Sequence, residues 1–140
     1  MFNTAYDNNP IYNTSFTMLN WISIAAINMA IAVALGAFGA HGLKNSVSIQ
    51  QLEWWQTATL YWFVHGLGLL LVGILIRLNY TTQTTAWLLQ IGALIFAGSL
   101  YAMTLGAPHW LGAITPIGGM LMIAGWLWLA VSTFRLGHTA

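Results

Sequence analysis

No cysteine occurs among the 140 residues, and only three basic and two acidic side chains do. Without cysteine there is no disulfide framework, no thiolate nucleophile and no thiolate metal site. Charged residues make up 4% of the chain, against about a quarter in an ordinary soluble domain. Three basic side chains provide no nucleic-acid surface. No GxSxG, HExxH or phosphate-binding glycine loop is present. These absences remove the common routes to a named enzymatic reaction, and no cofactor is expected.

What remains is apolar, with a mean hydropathy of +0.74. No Asp, Glu, Lys or Arg lies between Asp7 and Lys44, between Glu53 and Arg77, or between Arg77 and Arg135. A helix needs about 20 apolar residues to cross the hydrocarbon core, so the gaps hold one, one and two spans. Barrel strands would alternate in polarity over about ten residues, whereas IAAINMAIAVALGAFGA and LGLLLVGILI are continuously apolar or small. The expected fold is all-α: an integral membrane four-helix bundle, its four transmembrane helices joined by short loops, with the lipid bilayer as its first partner.

Organisation follows from the punctuation. Residues 1–17 form a polar, Asn-rich N-terminal tail broken by Pro10. It lacks a basic n-region, so the first apolar segment is expected to be a mature span. The transmembrane domain covers 18–135 and a short tail covers 136–140. Span one is expected from Met18 to Ala40. Ser48 and Gln51 fit a capping box that starts span two near Ile49, and Arg77 ends it. Span three is expected from Thr85 to Leu105. In span four Thr115 and Pro116 have the residue types of an N-cap and first helical residue; the competing start is Trp110, with Pro116 as a kink.

Trp21, Trp87, Trp126 and Trp128 are expected near one membrane face and Trp54, Trp55 and Trp110 near the other, as an aromatic belt or as filling between helices. Arg77 and Arg135 share a side opposite Lys44. By the positive-inside rule that side, with both termini, is cytoplasmic.

Polar and small residues recur at helical intervals. Asn28, Ala32, Gly36 and Ala40 are four apart, as are Gly98, Ala102 and Gly106; such faces let helix backbones approach closely. Span two carries a polar ladder, Glu53, Thr57, Tyr61 and His65, also at intervals of four. Each step turns the helix by about 400°, so the stripe drifts by about 40° per step, and Glu53 lies about 18 Å from His65 along the axis. His65 falls near the middle of the bilayer, where an ionisable group must face the bundle interior. Either neutral His65 bonds to a carbonyl or to a partner such as Asn28 or Ser99, or it serves a proton relay or ligand. His41, Glu53 and His109 share one membrane side, and histidine with carboxylate suits a divalent metal. They come from separate segments without ligand spacing, so no metal site is assigned. Gly118 and Gly119 open span four, where close helix packing is the simplest account.

LGAFGAHGL (35–43), WQTATLYWFVH (55–65), FAGSLYAMTL (96–105) and TPIGGMLMIAGW (115–126) resemble, in order and spacing, the signature blocks of the small YgdD-like membrane proteins, a family of unknown function. The resemblance implies a four-span protein of the cell inner membrane with cytoplasmic termini. By position it marks Gly36, Gly39 and His41, then Trp55, Tyr61 and His65. It marks Gly98, Ser99 and Tyr101 in the third block, and Thr115, Pro116, Gly118, Gly119 and Trp126 in the fourth. Trp62 stands where a Gln often follows the tyrosine, and His109 matches no motif position.

The function expected from these features is that of a non-enzymatic membrane protein, a self-assembling homo-oligomer or an accessory subunit of a larger membrane complex. The alternatives are a minimal proton or small-solute transport module using His65, Tyr61 and Glu53, and a metal- or quinone-site protein using His41 and His65.

Overall fold

A computed structural model describes residues 20–136 of the chain; the polar head (1–17) and the tail beyond residue 136 lie outside them. Four helices cross the fold, each long and apolar enough to span a bilayer. Helix α1 covers Trp21–Phe38, α2 Ile49–Arg77, α3 Gln83–Thr104 and α4 Thr115–Leu136.

The helix ends show why the chain turns where it does. Asn20 caps α1 by accepting from the Ser23 amide, and the helix starts at Trp21; Met18, the expected start of the span, lies outside the described residues. At its other end α1 passes into a π-helical turn, Gly39–Leu43, which carries the span to Leu43 rather than Ala40. The Ser48–Gln51 capping box is present in both directions, at 2.9 and 3.2 Å, and α2 begins at Ile49 as expected.

Helices α2 and α3 each end in a Schellman motif. Asn79 takes φ +60°, with Tyr80 N–H donating to the Leu75 carbonyl and Asn79 N–H to that of Ile76. Gly106 takes φ +98°, with Ala107 N–H donating to Ala102 and Gly106 N–H to Met103. Gly106 therefore stops a helix, because only glycine adopts that backbone without a Cβ clash.

A 3-10 turn, His109–Ala113, leads into α4, so the chain begins to coil near Trp110 and straightens into an α-helix at Thr115. Thr115 lies inside α4, and its hydroxyl pairs with Ser99 at 2.7 Å.

Successive helices are antiparallel neighbours, and α2 and α3 form the central pair. Two apolar layers, each drawing on α1, α2 and α3, fill the interior. Trp21, Ala25, Leu69, Val72, Ala86 and Leu89 form the first. Ala32, Ala58, Trp62, Ala97, Leu100 and Met103 form the second. Helix α1 buries Trp21, Ala25, Asn28 and Ala32, steps of four, three and four that keep one face inward. The expected stripe of fours drifts instead: Asn28 and Ala32 are buried, Gly36 is half-buried and Ala40 is exposed.

The other expected stripe is not a packing face. Gly98 is exposed with nothing within 4 Å of where a Cβ would stand, and Gly106 is exposed at the helix stop. The close crossing lies a quarter-turn away, between Gly92 of α3 and Gly118 of α4. A Cβ on Gly118 would stand 2.7 Å from the Gly92 carbonyl oxygen and 2.9 Å from Phe96 Cα. The backbones touch there, so no side chain can yield.

Gly118→Val is expected to destabilise the protein by about 1–3 kcal/mol, the usual cost of overpacking. Gly98→Ala is expected to be neutral or stabilising by up to about 1 kcal/mol through helix propensity. Reversible unfolding in mixed micelles reads both; equal losses would contradict this assignment of the crossing.

Candidate functional site

The deepest ionisable group is His65, on the α2 face turned toward α4, with 8% of its surface accessible. Its Nδ1 lies 2.9 Å from the Tyr61 carbonyl oxygen, one helical turn back. Its Nε2 lies 3.2 Å from Nε1 of Trp126. A carbonyl can only accept and an indole N–H can only donate. The partners therefore select one form: neutral imidazole, protonated on Nδ1, with Nε2 accepting from Trp126. Both nitrogens are used, so neither is free to bind a metal or carry a proton onward in this arrangement.

The surrounding rings hold this geometry. Tyr61 stacks beside the imidazole at 6.0 Å and 9° and leans on Phe96 at 4.5 Å. Trp126 lies over Gly68, where a Cβ would meet its ring at 2.8 Å. Gly68 thus seats the tryptophan that bonds His65. Its signal in the sequence is modest: a glycine three residues after the histidine, on the same helix face.

Of the ladder, the structure brings together Tyr61 and His65. Glu53 and Thr57 are exposed and make no side-chain hydrogen bond among the described residues. The drift of the four-residue stripe turns them away from the imidazole. His41 is exposed on the π-turn, and His109 packs edge-on against Trp54 at 5.6 Å. Among the described residues no group of three His, Asp or Glu side chains comes close enough to hold a metal ion.

Several other intramembrane polar groups are paired across helices. The Asn28 side chain donates to Gln90 of α3, and its backbone carbonyl accepts from Trp62 Nε1 at 3.1 Å, so one residue of α1 ties two helices. Gln51 Nε2 donates to the Thr104 carbonyl and Thr104 Oγ1 to that of Gln51. Tyr101 donates to Thr59 at 3.0 Å, Thr59 to the Trp55 carbonyl, and Trp55 Nε1 to the Leu35 carbonyl at 2.8 Å. Gly39 makes room for that last bond, since a Cβ there would stand 2.5 Å from the Trp55 ring. Ser99 donates to the Phe96 carbonyl, so Thr115 donates in the pair that joins α3 to α4.

A Cβ on Gly36 would stand 3.6 Å from the Thr59 methyl group and one on Gly119 3.9 Å from the Phe96 ring, and Pro116 lines a shallow cleft beside His109. Sequence reasoning missed Gln90, Thr59 and Thr104 as partners. Gln90 had a usable signal, a lone amide inside TTAWLLQIGALIF, which in lipid must point inward. Trp21, Trp55 and Trp62 are buried between helices, whereas Trp87, Trp110 and Trp128 are exposed.

Four lipid-length helices whose deep polar groups are largely joined to one another define a multi-pass helical membrane protein. The comparisons place it more closely. The family described as "Protein of unknown function (DUF423)" matches residues 35–119. A UPF0382 membrane protein of Staphylococcus saprophyticus is 46% identical over 117 residues, covering 83% of this chain and 98% of the relative. Those of Staphylococcus epidermidis and Staphylococcus haemolyticus are 44% and 43% identical over 116 residues, each covering 82% of this chain and 95% of the relative. No solved structure matches. The chain belongs to the DUF423 family of uncharacterised membrane proteins.

Nitrogen-15 spectra of labelled histidine should show His65 as one protonated and one unprotonated ring nitrogen at neutral pH. Trp126→Phe should weaken folding by about 0.5–2 kcal/mol, the range for interhelical hydrogen bonds in membranes. A double-mutant cycle with His65→Phe checks that the loss belongs to this pair; purely additive losses would refute it.

Proposed function

We propose that the protein is a non-enzymatic structural component of the cell inner membrane, self-assembling or serving as an accessory subunit, with both termini in the cytoplasm. Within the DUF423 family, its four sequence blocks lead us to group it with the YgdD-like proteins. The observation that carries the functional reading is the state of His65. The deepest ionisable side chain spends both ring nitrogens on the fold, one within α2 and one on α4. A proton relay needs a nitrogen that exchanges partners, and a catalytic base needs one that faces a substrate. Here each is held by a group of fixed polarity, and Glu53 lies about 18 Å away along the helix. The polar groups instead join α1 to α2 and α3, α2 to α3, and α3 to α4.

The orientation rests on Arg77 and Arg135 at one membrane side and Lys44 at the other. Arg77 is held there by donating to Asn20 Oδ1 at 3.2 Å, across the α1–α2 end.

Chemical cross-linking in native membranes, followed by mass measurement, is expected to give a complex larger than the 15.3 kDa chain. A solitary monomer at endogenous levels would remove the assembly reading. Reconstituted vesicles are expected to show proton flux no greater than protein-free vesicles; flux abolished by His65→Ala would favour transport instead. On the cysteine-free background, Lys44→Cys should react with an impermeant maleimide in intact spheroplasts and Arg77→Cys only after lysis.

A further inference from the structure

The α1 stripe that winds outward does not end on bare lipid-facing surface. Between α1 and α2 lies a cleft of about 460 Å³, open to the lipid, whose walls include Gly36 and Ala40 on α1 and Gln56, Leu60 and Phe63 on α2. Gln56 is exposed in that cleft, and its carboxamide has no hydrogen-bond partner among the described residues.

Depth makes this unusual. Gln51 is bonded to Thr104, the last residue of α3. That helix of 22 residues is about 33 Å long, close to the hydrocarbon thickness, so Gln51 lies near one membrane face. Gln56, five residues further along α2, lies about 7 Å inside it. In that stretch water is scarce for two N–H donors and a carbonyl acceptor. The deep Asn28 carboxamide, by contrast, donates to Gln90. A phospholipid acyl chain could fill the cleft, but its ester oxygens stay near the boundary and would leave the amide unpaired.

We propose that a second copy of this chain docks on the α1–α2 cleft, the two Gln56 carboxamides bonding reciprocally across a two-fold axis. A carboxamide complements itself, the NH₂ of each donating to the carbonyl of the other, as an isologous interface requires. Gly36 and Ala40 let the copies approach, and Leu60, 59% exposed, supplies apolar surface to bury. The outer face of α4 exposes Ile117, Met120, Ile123 and Leu127 without any such amide, and it faces lipid. This interface rests on the self-assembly reading above and says where that assembly occurs.

The chain contains no cysteine, so single cysteines can be placed freely. Val33→Cys and Leu60→Cys flank the cleft; Ile123→Cys and Leu127→Cys lie on α4. Oxidation in native membranes is expected to give disulfide-linked dimers from the first two and not from the last two. Gln56→Leu, at an exposed position that leaves folding intact, should raise the dimer dissociation constant in bicelles roughly tenfold, with the His65 nitrogen-15 signals unchanged. Cross-links from α4 only, alongside a larger native mass, would overturn the cleft while leaving self-assembly standing. Cross-links to a different protein at the cleft, or Gln56→Leu without effect on the dimer, would overturn the amide pair. A monomeric native mass would overturn both.

Discussion

Hydrocarbon offers no hydrogen-bond partner, and most of this architecture follows from that constraint. In water an unpaired amide or imidazole is solvated at little cost; in lipid it must find its complement on the protein or remain expensive. Asn28, Trp62, Gln90, Thr59, Tyr101, Ser99 and His65 all lie where water does not reach, and each is paired to another helix or to a backbone carbonyl. The bonds run across helix boundaries, so they set rotation and depth as well as adding stability. Trp21 shows the tolerance of the rule: its buried Nε1 has no hydrogen-bond partner among the described residues, while its ring meets Trp87 edge-to-face at 4.9 Å.

The same solvent removes the usual reason for helices to associate, because lipid tails are as apolar as leucine. Close contact has to come from shape. Gly92 and Gly118 bring the α3 and α4 backbones together, Gly68 admits Trp126, and Gly39 admits Trp55. Two of these four glycines exist to let a tryptophan in, and both tryptophans then make an interhelical hydrogen bond. Packing and polar pairing are therefore one device here: the missing Cβ creates the space, and the indole fills it and delivers its N–H.

The parts of this design visible in the sequence are those written locally. A capping box needs two residues three apart, and Ser48 with Gln51 identified the start of α2 to the residue. Span number followed from where charge is missing. Stripes of small residues were less informative, since spacing by four describes a line that winds around a helix rather than a face that stays put. Asn28 and Ala32 turned inward while Ala40 turned out, and Gly98 met nothing at all. The ladder failed to act as a unit for the same reason, with Tyr61 and His65 adjoining and Glu53 and Thr57 facing away. Gln90 and Gly68 carried signals that named no partner, because their meaning depends on which helix lies opposite.

The order of residue types along the chain determined that the solvent is lipid, that four helices cross it, and that His65 faces inward, because transfer free energies depend on residue type and not on tertiary neighbours. The tertiary structure decided which partner each polar group took: Trp126 rather than Asn28 or Ser99 for His65, Gln90 for Asn28, Thr115 for Ser99. Hydrogen bonds are directional and short, so their pairing is set by helix rotation and crossing, which arise only once backbones meet at glycines far apart in the chain.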